Sequence, residues 1–333
     1  MKARNDSLDC LKGIAILLVM FGHVQVHNQM TDPWLYDVIK SLQMPLFFLI
    51  SGYLAGSGTR IQTLEQYKEQ MKKRATAYLF PFFSWLVVQH ITCVPYALRV
   101  TLFQLDNGLW FLMVLFLFTW MAYTAQLVQA KTGHTWGFWL MFLGSSALVL
   151  LAYAAGVTFL SPFLLVTYLP YYTAAYFCGM YPELLRKWFP YGFRRAVAYA
   201  GGILFLAMAA VLDLVTVTGV LMLGVQTLAS FLGCLAVIQM VLDWKGGRVK
   251  AWLACLGQYT LEIYVLHYQF ATVLNRSGIV YAFWSPAGLL YSAAAFAAMS
   301  LITAFAIWII NQIPWFRLLL FGKRQDRRKK DCL

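Results

Sequence analysis

The sequence has little charge and no paired cysteines, and each of these absences excludes a class of protein. Charged residues make up only 12% of the 333 residues, whereas soluble domains carry about 25%. The six cysteines stand singly, without a CxxC pair, and therefore predict neither a zinc site nor a disulfide framework. No short apolar stretch is followed by a small-residue cleavage site, so we expect no cleaved leader. A soluble enzyme and a disulfide-rich secreted scaffold are both excluded.

What the chain has instead is apolar sequence, since 61% of its residues are hydrophobic against about 45–50% in soluble domains. This composition predicts an all-α fold, a polytopic bundle of membrane helices. With helices of about 20 residues, we place about ten transmembrane spans. The predicted spans lie near 11–28, 35–57, 75–98, 108–129, 136–157, 160–180, 196–214, 218–242, 252–274 and 286–312.

The positive charges lie almost entirely on one side of these spans. On the predicted topology, 23 of the 26 Lys and Arg residues fall on the side of the N-terminus. The exceptions are Lys40, Arg99 and Arg276. By the positive-inside rule, both termini are cytoplasmic. We therefore divide the chain into a membrane domain, 1–313, and a basic cytoplasmic tail, 314–333. The net charge of +13 is interpreted as a topology signal and a contact with membrane lipids, not with nucleic acid.

The first apolar helix, Leu11–His27, carries two titratable side chains where lipid tolerates neither. Lys12 stands at its start and His23 eleven residues later. Eleven residues are about three helical turns and about 16 Å, so both side chains fall on nearly the same face. An ionisable residue inside a membrane segment costs at least ~2.5 kcal/mol, which favours a functional role. For Lys12 the alternative is a salt bridge with Asp9, three residues earlier.

The second span has a proline and small residues in its apolar middle. Between Met44 and Gly56 stand Pro45, Ser51 and Tyr53. Pro45 leaves a backbone carbonyl without its partner, and the small residues allow a neighbouring backbone or a ligand to approach closely. We predict that Ser51 and Tyr53 contact substrate, with helix packing as the alternative.

A segment before the third span concentrates positive charge. Residues Thr59–Lys73 place apolar side chains at helical spacing, which predicts an amphipathic helix lying on the inner leaflet. The segment leads to Lys72, Lys73 and Arg74, with Tyr78 four residues after Arg74. Such a cluster is commonly a topology signal, but it is also what a phosphate-rich ligand requires. We assign these four side chains to such a ligand.

The ninth span is the second unusual one, because Glu262 lies near its middle and His267 follows five residues later. Tyr264 shares a helical face with His267, whereas Glu262 is rotated away by about 140°. Two costly polar groups in one helix predict a functional carboxyl and a functional imidazole. The alternative is a buried Glu satisfied by neighbouring hydroxyls.

The fourth span opens with an Asp-Asn-Gly sequence followed by Trp110. We expect Asp106 or Asn107 to cap this helix. Trp110 is by default an aromatic residue of the membrane interface, and on this topology it faces outward. Trp110 and Tyr264 complete the candidate contacts to substrate.

Five stretches in order along the chain carry a resemblance to a known family. They are RNDSLDCLKGIAILLVMFGH (Arg4–His23), MPLFFLISGYL (Met44–Leu54), KKRATAYLFPF (Lys72–Phe82), LWFL (Leu109–Leu112) and LGQYTLEIYVLH (Leu256–His267). Together they resemble the acyltransferase 3 family of bacterial integral membrane acyltransferases, and within it the fucose 4-O-acetylase-like branch of sugar O-acetyltransferases. The resemblance implies a ten-helix acyltransferase domain in the bacterial cytoplasmic membrane. It also implies acetyl-CoA as acyl donor and, as acceptor, a carbohydrate or lipid-linked glycan of the cell envelope.

Several site residues follow from this resemblance. His23 is similar to the family's essential first-helix histidine, and Lys12 holds the position eleven residues before it. Arg74 matches the basic position of the third helix. The Arg-x-x-Arg pair of the family is absent, so Lys72 or Lys73 is the candidate for the second cation. Gln43 stands where the branch often has histidine.

The mechanism we expect uses His23 as general base on the acceptor hydroxyl. A histidine pKa near about 6.5 suits proton transfer at neutral pH. Glu262 or His267 orients His23 or relays the proton, and the basic side chains at the inner mouth hold the donor's phosphates. The alternative to direct transfer is an acyl-enzyme on histidine or on Ser51. No metal ion is expected.

Two functions from other classes remain open at this point. Intramembrane His and Glu side chains also build proton relays, so the chain can be a proton-coupled exporter of an envelope glycan or lipid-linked precursor. The two halves of the chain show no repeat of the kind that many transporters have. A non-catalytic membrane sensor is the third possibility.

Overall fold

The computed structural model describes residues 5–30, 32–216, 219–271 and 280–323. Within these residues the chain is helical and contains no strand, which confirms the predicted all-α class. Short 3₁₀ segments lie at Leu105–Asn107 and His267–Phe270. The α-helices are α1 (Asp6–His27), α2 (Pro33–Gly56), α3 (Leu64–Gln89), α4 (Val94–Phe103), α5 (Trp110–Thr132), α6 (Thr135–Ala154), α7 (Pro162–Met180), α8 (Pro182–Trp188), α9 (Tyr191–Val211), α10 (Val220–Asp243), α11 (Arg248–Leu256), α12 (Thr260–Leu266), α13 (Pro286–Gln312) and α14 (Pro314–Phe321).

Seven of the described helices are long and apolar enough to cross a membrane, namely α1, α2, α5, α6, α9, α10 and α13. They coincide with seven of the ten predicted spans, so the chain has the helices of a multi-pass membrane protein. The predicted span 160–180 is the helix α7. The predicted span 75–98 is wrong at its end, because α3 stops at Gln89 and a separate helix, α4, begins at Val94. The chain termini lie outside the described residues, so their cytoplasmic placement stays a prediction.

The predicted span 252–274 is wrong as a single helix. Within its described part, 252–271, α11 ends at Leu256 and α12 begins only at Thr260. Gly257 lies at the break, and a side chain there would collide with the carbonyl oxygen of Asp9 in α1. The break therefore lets two backbones come closer than any other residue would allow. The result is a short helix, α12, that carries the polar residues of this region.

Apolar side chains of the predicted amphipathic segment pack on protein, and its placement on the inner leaflet stays a prediction. Its apolar side chains, Ile61, Tyr67 and Met71, pack against Tyr123 and Leu127 of α5. Ile61 is only 3% exposed, and its backbone N–H donates to Gln126 at 2.8 Å. The predicted helical spacing is present in α3 from Leu64 onward. The apolar side chains Ile61, Tyr67 and Met71 are covered by α5.

The described chain forms two compact units, and each is considered by itself. Unit 1 consists of residues 5–50 and 180–309, and unit 2 of residues 51–179 and 310–323. The predicted division at residue 313 stays a prediction, since half of the predicted tail, 324–333, lies outside the described residues. Its first helix, α14, belongs to unit 2, where Leu320 accepts a hydrogen bond from the Trp85 indole at 3.0 Å.

Helix α1 is the centre of unit 1 and begins at a side-chain cap. The Asn5 carboxamide accepts hydrogen bonds from the backbone N–H groups of Ser7 and Leu8 at 3.0 and 3.3 Å, which satisfies two of the open donors at a helix start. Gly13 then allows α1 to lie directly against α11, because a side chain there would collide with the Leu253 carbonyl. Near its other end, Gly22 lies against two side chains of α2, because an added carbon there would stand 3.1 Å from Ile39 and Gln43.

Candidate functional site

The structure brings three histidines together at the end of α1. The His23 ring centroid lies 5.2 Å from that of His267 and 5.8 Å from that of His27. The Tyr268 ring packs edge-on against His23 at 5.1 Å and His27 at 4.8 Å. We call His23, His27, His267 and Tyr268 the imidazole cluster. All four belong to unit 1.

The position of His23 follows from the length of α1. His23 lies four residues before the last residue of the helix, which is about 6 Å, and Lys12 lies about 16 Å away toward its start. Both are therefore on one helix, as predicted, with His23 near one end and Lys12 near the other. Both side chains are half-buried. A ligand on the side of the α1–α2 loop is thus closer to His23 than one at the Lys12 end.

His267 is the most buried member of the cluster, with 1% of its surface exposed. Its Nδ1 lies 2.8 Å from the carbonyl oxygen of Ile263. A carbonyl only accepts, so Nδ1 carries the proton of this hydrogen bond, and the neutral ring keeps its lone pair on Nε2. The structure provides no hydrogen-bond partner for that Nε2 among the described residues. His267 thus has a fixed tautomer and a buried, open proton acceptor.

Helix α12, which ends one residue before His267, carries two further polar residues, Tyr264 and Glu262. The Tyr264 ring lies 6.2 Å from the His267 ring, which confirms that these side chains share a face. Glu262 is 0% exposed and lies in the first turn of the same helix. A helix start favours an acidic side chain electrostatically. The helix break thus gives Glu262 a helix start where the sequence predicts the middle of a span.

Lys12 already has a partner. Its Nζ donates to the Asp9 carboxylate at 3.1 Å, and the Asp9 side chain is only 5% exposed. This is the salt bridge that the sequence offered as the alternative. The assignment of Lys12 to a phosphate-rich ligand stays a prediction, in which phosphate oxygens would share the ammonium with Asp9.

Unit 2 contains a different polar group, a partly buried cation among phenols. The Arg74 guanidinium donates to the Tyr78 hydroxyl at 3.2 Å and to the Tyr123 hydroxyl at 3.3 Å. No described carboxylate forms an ion pair with it, and its Nε is buried without a hydrogen-bond partner. We call Arg74, Tyr78 and Tyr123 the guanidinium–phenol cluster. A partly buried cation with no counter-ion is suited to binding an anion.

The neighbouring lysines differ from Arg74. Lys73 is exposed and forms an ion pair with Glu69 at 2.7 Å. The hydrogen bond and the charge of Lys73 hold the pKa of that exposed carboxyl below its ordinary value. Lys72 is exposed to solvent. The structure thus separates one partly buried cation from two exposed ones.

The remaining predicted substrate contacts also belong to unit 2. Ser51 and Tyr53 are half-buried in the last turns of α2. Trp110 is the first residue of α5 and stacks on Tyr168, with ring centroids 5.1 Å apart and planes at 24°. The predicted cap at Asp106 or Asn107 is wrong, because Leu109 precedes the helix and no side chain caps it. Instead, both residues belong to a 3₁₀ turn.

The sequence-predicted site residues therefore fall into two groups, with His23, His267, Glu262, Tyr264 and Lys12 in unit 1 and Arg74, Tyr78, Lys72, Lys73, Ser51, Tyr53 and Trp110 in unit 2. Sequence reasoning assigned no role to His27. The signal was present, because residues four apart share a helical face. Tyr268 carried no such signal.

Among the described residues no group of three or more His, Cys, Asp or Glu can hold a metal ion.

A family model matches this chain along most of its length, and two relatives match about a quarter of it. The model of a family described as an acyltransferase domain, acyltransferase 3, matches residues 5–311. The nodulation protein NolL of Sinorhizobium fredii is 36% identical over 88 residues, and that of Mesorhizobium japonicum is 39% identical over 88 residues. Each match covers 25% of this chain and 23% of the relative, so the matched part spans about a quarter of either protein. No solved structure matches the chain.

Proposed function

The chain belongs to the acyltransferase 3 family, and from this premise we propose that it is an integral membrane O-acetyltransferase. Its acyl donor is acetyl-CoA, and its acceptor is a hydroxyl of a cell-envelope carbohydrate or lipid-linked glycan. It works in the bacterial cytoplasmic membrane. The observation that carries the proposal is the contact between His23 and His267, whose ring centroids lie 5.2 Å apart near one end of α1. The closer likeness to the fucose 4-O-acetylase-like branch is part of the same proposal.

The acceptor oxygen attacks the thioester carbonyl and its proton passes to the imidazole cluster. The acyl–sulfur bond then breaks, and CoA leaves as the thiolate, which takes up that proton. His23 is half-buried and faces His267, whose open Nε2 is fixed by the Nδ1 bond to Ile263. We assign His23 as general base and His267 as the group that orients it or shares its proton. General bases contribute typically about 10²- to 10⁴-fold in rate. Glu262 is the second buried group that we assign to orienting His23 or relaying its proton.

The donor is recognised through its phosphates, and the guanidinium–phenol cluster fits such a group. Arg74 has two phenol partners and no carboxylate among the described residues, which leaves room for the charge of a phosphate. Lys72, Lys73 and Lys12 add positive charge at the cytoplasmic face on the proposed topology. An acyl-CoA supplies the acyl group as an activated thioester. Ser51, Tyr53 and Trp110 are assigned to the acceptor.

The experiment uses the purified full chain in detergent, radiolabelled acetyl-CoA and a total glycan extract of the host envelope as acceptor. Label should appear in the glycan fraction with the wild type. His23→Asn should lose at least about 10²-fold of that rate, whereas His134→Asn should keep it. His134 is the matched control because it is exposed and stacks only on Trp136. Full transfer by His23→Asn would remove His23 from the mechanism, and no transfer by the wild type would refute the proposed activity.

One observation favours a second function, a proton-coupled exporter of the same precursor. The helix break between α11 and α12 places buried Glu262 on a short helix, with buried His267 directly after it, and discontinuous helices often carry the binding sites of transporters. Sealed vesicles distinguish the two functions. Movement of the precursor without acetyl-CoA supports export, whereas an acetylated product that requires acetyl-CoA supports the enzyme.

A further inference from the structure

Helix α2 carries two polar side chains near the imidazole cluster. The proposed proton transfer uses neither of them. They are Lys40 and Gln43, and residues three apart are neighbours on a helix surface. Helix α2 approaches α1 where Gly22, the chain neighbour of His23, lies opposite Ile39 and Gln43. A side-chain carbon at Gly22 would stand only 3.1 Å from Ile39 Cγ2 and from Gln43 Oε1. All of these residues belong to unit 1.

Lys40 is half-buried and has no counter-ion. It forms no ion pair with any described carboxylate, and its contact is with the Tyr36 ring, 5.4 Å from the ring centroid. Asp37 on the same helix is committed elsewhere, because its carboxylate accepts a hydrogen bond from the Leu214 backbone N–H at 3.0 Å. Lys40 directly follows Ile39, whose side chain lies against Gly22 next to His23. An ammonium in this position is costly unless an anion pairs with it.

Gln43 is 5% exposed, and its Oε1 has no hydrogen-bond donor among the described residues. A buried acceptor left open in this way is destabilising. Its Oε1 lies against Gly22, where an added side-chain carbon would stand 3.1 Å from it. A ligand hydroxyl is the simplest group that can donate to this oxygen next to His23.

We propose that Lys40 and Gln43 form the acceptor subsite and that it takes a polyhydroxylated molecule bearing an anionic group, either a carboxylate or a phosphate. Lys40 pairs with the anion, Gln43 Oε1 accepts from one hydroxyl, and a neighbouring hydroxyl faces His23. This inference rests on the proposed function, since it names the substrate class of that same site. Neutral sugars lack the group that Lys40 needs and therefore bind more weakly.

The test measures protection of the histidines and needs no acyl transfer. The full chain in a neutral detergent is treated with diethyl pyrocarbonate, and modification of His23 and His27 is followed by peptide mass spectrometry. The ligands are glucuronate, glucose 1-phosphate and glucose at equal concentration. We expect glucuronate or glucose 1-phosphate to slow modification severalfold, and glucose to have a much smaller effect. The two charged ligands distinguish a carboxylate from a phosphate.

Variants link the protection to the two side chains. Lys40→Gln should raise the concentration of charged ligand needed for half-protection about tenfold, while Lys40→Arg keeps most of the effect. Gln43→Glu should abolish protection by both charged ligands through charge repulsion. Lys245→Gln, at an exposed position of unit 1, is the matched control and should behave as the wild type. Size-exclusion profiles and melting temperatures verify that each variant is folded.

Three outcomes would overturn the proposal. They are equal protection by glucose and glucuronate, protection unchanged in Lys40→Gln, and no protection by any of the three ligands. A fourth arm uses nanodiscs of phosphatidylglycerol without sugar. If that lipid alone protects the histidines and glucuronate adds nothing, Lys40 pairs with a lipid phosphate and the acceptor subsite is refuted. The proposed acetyltransferase activity is judged separately, by its own transfer assay.

Discussion

The two compact units of this chain bury polar groups in opposite ways. In unit 1 the polar group is the imidazole cluster. Its buried member, His267, keeps an open Nε2 while its Nδ1 donates to the carbonyl oxygen of Ile263. In unit 2 the group is a permanent cation, Arg74, surrounded by phenol hydroxyls. An imidazole can gain or lose a proton near neutral pH, whereas a guanidinium cannot. On the proposed function, this difference puts proton transfer in unit 1 and recognition of the donor's phosphates in unit 2.

The largest expected effect comes from breaking the imidazole pair. His23→Asn and His267→Asn should each reduce acetyl transfer by about 10²-fold or more, because each removes one ring of a pair that handles one proton. The double variant should lose little beyond either single one, since residues that act as a unit are not additive. Initial rates with labelled acetyl-CoA measure all three. Independent, multiplying losses would show that the two rings have separate roles.

The next effect tests the cation of unit 2. Arg74→Ala should weaken the binding of acetyl-CoA by about 10- to 100-fold, because hydrogen bonds to a charged group are worth about 1.5–3 kcal/mol. Equilibrium binding to the purified chain gives this affinity. Arg186→Ala is the control, since Arg186 is exposed and pairs with Glu183. Unchanged affinity in Arg74→Ala would remove the guanidinium–phenol cluster from donor recognition, and the contrast between the two units would lose its basis.

The smallest effect concerns the packing that positions each cluster. Gly13→Ala places a methyl group against the Leu253 carbonyl in unit 1, and Gly52→Ala does the same against the Tyr172 carbonyl in unit 2. Each should lower the free energy of unfolding by about 1–3 kcal/mol, seen as a lower melting temperature in detergent. Gly224→Ala is the control, because nothing lies within 4 Å of the added carbon. Equal melting temperatures for all three variants would contradict the close helix contacts.

Local sequence patterns predicted the features that depend on neighbouring residues. The pairing of Lys12 with Asp9 and the proximity of Tyr78 to Arg74 both follow from helical spacing, and the structure has both. The predicted start of α1 was late, because the acidic residues before Leu11 were taken as an approach. Acidic residues are favourable in the first turn of a helix, and α1 in fact begins at Asp6.

The features that sequence reasoning missed depend on residues far apart in the chain. The break after Leu256 is not visible in the apolar pattern of 252–274, and it is explained only by the approach of the Asp9 backbone to Gly257. The apolar face of the segment before α3 has the same pattern whether lipid or α5 covers it. Periodicity identifies an apolar face but does not say what covers it.

The sequence by itself determined that this chain is a multi-pass helical membrane protein with Lys12 and His23 on one helix. Those conclusions rest on hydropathy and on the 3.6-residue period, which are local properties. Only the tertiary structure decided that His23 meets His267 and His27, and that the Arg74 cation has phenols for partners. Such contacts depend on how separate helices pack, and small residues such as Gly13 and Gly22 govern that packing through the space they leave for another backbone or side chain.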